Sequence, residues 1–333
     1  MVQQMLLLAS LAVLPIIMVG LDGAAAVRSL FTPVSRLEPI VDASPTERSP
    51  SAPQAVAVEK LQFGIYDPAG LFAGESDFGI RHEYISWLTF DANKLAERLK
   101  TLTEQGIHPL LTIEPWPAGD EENGHLLRSV ANGKYDSHID RVADCLRGLE
   151  GPVYLSWGHE MDQDLAQRYP WSGRNPDEYI TAYRYVVDRI RKQVTTELHW
   201  VWAGVLKEGS LRYWPGETYA DCIGMPIYSC PDWDQRNYGY IRDFRTTFEE
   251  KRKLVQQLRK PLIITELGVS GSTDFVNFWL HQAFVSLQDY PDLKAVVFFY
   301  AKDAEGVWGS DVPTPDWRVH PDLIRGLVAW KLH

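Results

Sequence analysis

Val153 to Glu160 reads VYLSWGHE, Asn175 to Arg191 reads NPDEYITAYRYVVDRIR, and Trp200 to Gly204 reads WVWAG. The first and third runs are short, apolar and rich in β-branched and aromatic residues, as strands buried on both faces are. The middle run opens with Asn175 as N-cap, Pro176 at the first helical position and Glu178 placed to close a capping box. Its apolar residues Tyr179, Tyr183, Val186, Val187 and Ile190 keep helical spacing and so face a sheet. Strand, helix and strand in that order make a parallel βαβ unit.

Outward from this unit the same alternation continues in both directions. Strand-like runs fall at Leu61 to Tyr66, Tyr84 to Leu88, Pro109 to Ile113, Val153 to Trp157, Trp200 to Ala203, Cys222 to Ile227, Leu262 to Thr265 and Ala295 to Tyr300. Helical patterns lie between most of them, over Asp91 to Thr103, Ser137 to Leu149, Tyr240 to Leu258 and Thr273 to Gln288, with a last one over Pro321 to Lys331. Eight such units predict an α/β chain folded as one (β/α)8 TIM barrel over residues 59–333.

Ahead of it, Met5 to Val19 is apolar except for Ser10, is followed by Ala24, Ala25 and Ala26, and has no Lys or Arg in front of it. A cleaved export signal, an uncleaved membrane anchor and a buried helix are all open readings of residues 1–26. The first two put the domain outside the cytoplasm, as a periplasmic, secreted or membrane-tethered protein held through residues 5–26. Residues 27–58 include VDASPTERSPSAPQAVAV, a Pro/Ser/Ala-rich stretch that reads as a solvated linker.

With 33 basic against 44 acidic residues the chain carries a formal charge of −11, so it has no polycationic surface for nucleic acid. Cys145, Cys222 and Cys230 are too few and odd in number for a disulfide scaffold. Cys222 and Cys230 also flank one strand and lie too far apart to pair. Phosphate-binding, dinucleotide-binding and serine-elbow motifs are absent from the sequence, and no cofactor is implied. A zinc H-E-x-x-H motif would need His where Gln163 stands.

A barrel keeps its chemistry at the C-terminal strand ends. There the sequence places Glu114 and Trp116 after the third strand, His159 and Glu160 after the fourth, Tyr228 after the sixth, Glu266 after the seventh and Asp303 after the eighth. Glu160 and Glu266 face each other across the mouth. Two facing carboxylates are what cleavage of a glycosidic bond requires, one to protonate the leaving oxygen and one to attack carbon or activate water. A lone Glu would more simply cap a helix or pair with a base. Twelve Trp and fifteen Tyr exceed what a core alone needs and suit a sugar-binding surface.

WGHEMDQ (Trp157 to Gln163), YPW (Tyr169 to Trp171), NPDEYITAYRYVVDRIR and WVWAG, with EPW at Glu114, GMPIYS at Tyr228, ITELG at Glu266 and DWR at Asp316 to Arg318, resemble the β-mannanases and mixed-linkage glucanases of glycoside hydrolase family 26. The resemblance spans residues 61 to 333. It implies a retaining endo-β-glycanase of clan A that hydrolyses β-1,4-linked mannan or mixed-linkage β-glucan, with Glu160 as acid/base and Glu266 as nucleophile. Two departures stand out: Ser156 where family members often carry Arg, and Asp162 where Asn is common. The stretch between Asp162 and Tyr169 also diverges. These leave open a second reading, a weakly active or non-catalytic protein that binds polysaccharide or assembles exopolysaccharide.

Around the carboxylate pair, Tyr228 is expected to donate its hydroxyl to Glu266 and hold it in position. His159 is expected to hydrogen-bond substrate or orient a carboxylate, or to serve structure only. Trp116, Trp171 and Trp308 are candidate sugar platforms, with plain packing as the alternative for each and Trp171 expected half-exposed on the rim. Glu114, Asp162, Asp303 and Arg318 complete the expected substrate cleft; for the last two, simple solvation is the alternative.

Overall fold

Strand-forming residues recur at intervals that leave room for a return path, and the chain uses each one to build a parallel neighbour. In the computed structural model, which describes residues 60–119, 124–163, 168–309 and 311–332, these are β1 (Gln62–Tyr66), β2 (Ile80–Ser86), β3 (His108–Glu114), β4 (Val153–Trp157), β5 (Leu198–Ala203), β6 (Cys222–Ser229), β7 (Leu262–Val269) and β8 (Leu293–Phe299). They pair in chain order, all parallel, and β8 closes on β1 with Gln62 opposite Ala295 and Tyr66 opposite Phe299. The expected (β/α)8 barrel is the fold. The export segment and the linker read at 1–26 and 27–58 lie outside the described residues.

The second strand begins earlier than Tyr84. Arg81 and Glu83 interrupt its apolar pattern, but both point away from the barrel axis and are satisfied there. Arg81 donates to the carbonyls of Phe72 and Phe78 at 2.7 Å, and Glu83 pairs with Arg98 of α1 (Ala92–Glu104). Period-two alternation therefore runs through Ile80, His82 and Tyr84, with charged residues on the other face.

The remaining helices are α2 (Leu126–Ala131), α3 (Asp136–Leu146), α4 (Pro176–Arg191), α5 (Pro231–Tyr238), α6 (Phe244–Val255), α7 (Thr273–Ser286) and α8 (Pro321–Leu332). Neither α2 nor α5 was visible as a pattern, because six and eight residues are too few to show a helical period. The helix expected from Tyr240 starts at Phe244, where the Asp243 carboxylate caps it by accepting from Thr246 N at 2.7 Å. Asn175 caps α4 as expected, accepting from the amides of Asp177 and Glu178. Glu178, however, pairs with Arg128 of α2 at 3.1 Å, which ties two helices together. All three cysteines are buried and none is in a disulfide.

Inside the barrel, Ile80, Leu110, Val201, Ala203, Cys222, Ile263, Ala295 and Val297 pack on one another; a larger apolar layer fills the space between strands and helices. One irregularity positions the site. Along β6, Met225 lies opposite Ile264 but the next residue, Pro226, lies opposite Glu266; on the other side β8 skips the same step. β7 thus carries an extra residue, a bulge, and a Pro without an N–H is tolerated where the ladder breaks. Ile264 and Leu267 face the outer layer, while Thr265 packs inward on Gly224 and Glu266 lines the cavity at the barrel mouth. Consecutive residues turn the same way, which strict alternation forbids.

The inner layer at this height has no spare volume. A Cβ on Gly224 would stand 2.7 Å from Thr265 Cγ2 and 2.9 Å from both Ala203 Cβ and Val201 Cγ1. Gly224→Ala is expected to cost about 1–3 kcal/mol by overpacking, read as a lower denaturation midpoint; an unchanged midpoint would show that the inner layer is loosely packed.

Candidate active site

β4 ends at Trp157, and Gly158 continues its pairing by donating to Ile113 O at 3.0 Å before the chain turns sharply. Gly158 has φ +55° and Glu160 φ +53°, a left-handed conformation that costs a non-glycine residue about 1–2 kcal/mol. The peptide of Glu160 is gripped from two sides: its N–H donates to Ala203 O at 2.8 Å, and Ser172 Oγ donates to its carbonyl at 2.7 Å. Strain held by so many bonds at one residue is typical of a working side chain.

Asp162 explains how the turn is kept. Its carboxylate accepts from Val205 N, Leu206 N and Ser210 Oγ, at 2.9, 3.0 and 2.5 Å, so it clamps the segment that follows β5. It is buried and does not line the cavity, contrary to the expected substrate role.

Glu160 and Glu266 come together on the wall of one cavity of about 1360 Å³ at the barrel mouth, shared with Tyr66, Tyr84, Glu114, His159, Tyr228 and Trp308. Burial and the neighbouring charge of Glu266 push the Glu160 carboxyl up to about 8. Gln163 Nε2 donates to Glu160 Oε2 at 2.5 Å. Burial also raises the Glu266 carboxyl, and the Tyr228 hydroxyl, donating to Glu266 Oε2 at 2.6 Å, works against that rise. Tyr84 approaches the same carboxylate and favours its ionised form, though short of formed hydrogen-bond geometry. The two carboxyls therefore sit in unlike surroundings, which is how one is kept as an acid and its neighbour as a base.

Tyr228 reaches Glu266 because β7 has Gly268 beside it. A Cβ there would lie 2.5 Å from two atoms of the Tyr228 ring. Trp317 packs on the same phenol at 4.6 Å. His159 lines the cavity, with Nε2 3.3 Å from the Tyr169 hydroxyl, and hydrogen-bonds to neither carboxylate. Burial, with the Arg168 guanidinium nearby, lowers it to about 3, so it is neutral at physiological pH.

The other expected residues divide. Glu114 lines the cavity and accepts from Trp116 Nε1 at 3.0 Å; Trp308 and Asp303 also line it, and Asp303 Oδ2 accepts from the indoles of Trp308 and Trp317 at 2.7 Å each. Trp116 stands behind Glu114, outside the lining, and braces that carboxylate instead of offering a platform. Trp171 is not on the rim. It is 0% exposed, stacks on Tyr169 at 4.7 Å and donates its indole N–H to His159 O at 2.7 Å. Arg318 is folded onto Asp316 at the surface and does not reach the cleft. Residues 164–167 of the divergent stretch lie outside the described residues.

Cavity residues that escaped the sequence reading include Tyr84, Arg168, Trp233 and Lys251. Lys251, on α6, is half-buried and donates to Val205 O; desolvation of its ammonium lowers it to about 8, and Asp162 and Glu160 oppose that shift. A Lys in a helical run otherwise reads as solvated. Only Tyr84 carried a usable signal, its inward parity in β2.

Comparison with known proteins adds relationship to this geometry. Residues 121–275 match the model of glycosyl hydrolase family 26. Endoglucanase H of Acetivibrio thermocellus is 25% identical over 254 residues, 72% of this chain and 26% of that protein. The β-1,3-xylanase TXYA of a Vibrio species is 30% identical over 156 residues, 44% of this chain and 30% of that protein. The chain thus spans under a third of the length of these curated relatives. Among solved structures, a family 26 β-mannanase from Bacteroides ovatus superposes with TM-score 0.56 at 19% identity, covering 72% of this chain and 80% of that one. An endo-β-1,4-mannanase double mutant from Cellulomonas fimi gives 0.58 at 15% identity, covering 82% and 71%. At such identities the likeness is one of fold.

Because Trp171 is core and not rim, Trp171→Ala is expected to cost about 3–5 kcal/mol of folding stability, seen as a markedly lower melting temperature. A normal melting temperature would restore the platform reading.

Proposed function

We propose that the chain is a retaining endo-β-glycanase of glycosyl hydrolase family 26 acting on β-1,4-linked mannan or mixed-linkage β-glucan, a reading the family match over residues 121–275 supports. The observation that carries this reading is the unlike pair on one cavity wall: Glu160 raised to about 8 and free of any cationic hydrogen-bond partner among the described residues, Glu266 held by the Tyr228 hydroxyl. At neutral pH the first holds a proton, and the phenol donated to the second favours its anion. Glu160 protonates the glycosidic oxygen as the bond breaks, and Glu266 attacks the anomeric carbon to give a covalent glycosyl-enzyme. Glu160, now ionised, then takes a proton from the water that releases the sugar.

Tyr228 is a positioning residue that keeps one Glu266 oxygen engaged and the other turned to the substrate. Neutral His159 and braced Glu114 serve as hydrogen-bonding groups toward sugar hydroxyls. Trp308 offers a ring face. The polymer is too large to enter a cell intact, which supports export through residues 1–26 and, if the segment is retained, a membrane tether.

Hydrolysis of a panel of mannan, mixed-linkage glucan, β-1,4-glucan and β-1,3-xylan decides the polymer, with release of reducing ends as the readout. Proton NMR of the first product should show the β-anomer; an α-anomer would overturn retention. Glu160→Ala should still form the glycosyl-enzyme on aryl glycosides with good leaving groups and recover turnover with azide, while Glu266→Ala should lose both. No hydrolysis of any polymer by the wild type would favour the non-catalytic reading.

The pH profile follows from the sign of the Glu160 shift. Activity needs Glu160 protonated, and its proton affinity is raised, so kcat/KM should hold through neutral pH and fall as pH rises through about 8. An alkaline limb in the ordinary carboxylate range would show that Glu160 is not the acid.

A further inference from the structure

The aromatic lining does not stop at the reacting carboxylates. Tyr228 meets Trp308 edge-on at 5.6 Å between ring centres; Trp308 meets Trp233 at 5.4 Å, Trp233 meets Tyr238 at 5.6 Å, and Tyr238 stands 6.5 Å from Tyr240. Trp308, Trp233 and Tyr238 line the cavity itself, and the last two members of the series, Tyr238 and Tyr240, are 43% and 50% exposed. An unbroken series of rings thus leads from the phenol on Glu266 to open surface.

Trp308 and Trp233 pack on the small core of Cys230, Val312 and Trp317, whereas Tyr238 and Tyr240 extend beyond it to solvent. Among α5 residues only Asp234 is buried, so PDWDQRNY contributes its Trp and Tyr to the cavity wall and to solvent. The helix is fixed by charge instead. Asp234 accepts from Arg242 Nε at 3.2 Å, Nη2 at 3.1 Å and the Arg242 amide at 3.2 Å; Gly239, with φ +78°, turns the chain back toward Arg242. The buried guanidinium lies 3.8 Å from the Tyr238 ring centre and backs that ring from the protein side. Tyr238 is therefore held before any ligand arrives, so little ordering is left for binding to supply.

We propose that Trp233, Tyr238 and Tyr240 form a distal binding ramp for the substrate polysaccharide, stacking on sugar residues several units from the bond that is cut. The inference rests on the glycanase reading and deepens it: an exposed ring series continuous with the cleft suits a long β-linked chain whose pyranose C–H faces are apolar, and has no use for a disaccharide. Each ring should contribute a stacking contact of the aromatic-pair size, a factor of about two to ten in affinity.

The test compares wild type with Tyr240→Ala, Trp233→Ala and Tyr240→Phe, and uses Phe278→Ala, an exposed ring on α7, as a control. Values of kcat/KM are taken on short and long manno- and cello-oligosaccharides and on the polymers. The ratio of long to short should fall about two- to tenfold in each Ala variant, stay at the wild-type value in Phe278→Ala, and return in Tyr240→Phe. A ratio equal to wild type in both ramp variants overturns the ramp and leaves the glycanase reading standing. Should the protein hydrolyse none of these sugars, tryptophan fluorescence titration with the same series still decides. Affinity that rises with chain length and falls in Tyr240→Ala supports the ramp without hydrolysis; affinity independent of length, or no binding, overturns it. Trp233→Ala is read with a melting curve, and if it unfolds the exposed Tyr240 pair carries the decision.

Discussion

Two carboxylates on one desolvated wall cannot both ionise cheaply, since burial and mutual repulsion each favour the protonated form. Glu160 and Glu266 meet this constraint by asymmetry. Glu266 takes a phenol proton donor; Glu160 takes a side-chain amide. Around them the charge is rationed: His82 and His159 are both driven to about 3 by burial and stay neutral. Arg168 and Lys251 supply positive charge from the cavity wall, which opposes the rise at Glu160, and Arg168 does the same at Glu266.

Holding such a pair requires a backbone that departs from regularity at both carboxylates. At Glu160 the departure is a left-handed residue pinned by Ala203, Ser172 and the Asp162 clamp. At Glu266 it is an extra residue in β7 that turns two consecutive side chains inward. Gly268 and Gly224 are the small residues that make room on either side, one for a phenol and one for a methyl. The strain is local because the surrounding hydrogen bonds are made.

Those tryptophans whose indoles find an acceptor divide into two sets by what they donate to. Trp87 and Trp171 donate to the backbone carbonyls of Trp116 and His159 and fix loops from within the core. Trp116, Trp308 and Trp317 donate to carboxylates, Glu114 for the first and Asp303 for the other two, and so fix the cleft wall. Composition showed that there were more rings than a core needs; it could not assign any one ring to a set. Trp171, three residues from Arg168 on the wall, is wholly buried, because Tyr169 and Trp116 close over it.

Read alone, the sequence determined what depends on near neighbours along the chain. Eight apolar runs, their helical spacers and the Asn175 cap are local patterns, and a parallel strand order with C-terminal strand ends gathered at one mouth follows from them. Glu160, Glu266, Tyr228, His159, Glu114, Trp308 and Asp303 reach the cavity for that reason. Tertiary structure alone decided which side chains are spent on the frame: Asp162 on the amides after β5, Trp116 on Glu114, Arg318 on Asp316. It also decided that Lys251, Arg168 and the α5 rings face the site, and that the parity of β7 breaks one residue before its carboxylate. Each of these rests on contacts between segments far apart in sequence, and neither a helical nor a strand period carries information about a partner on another element.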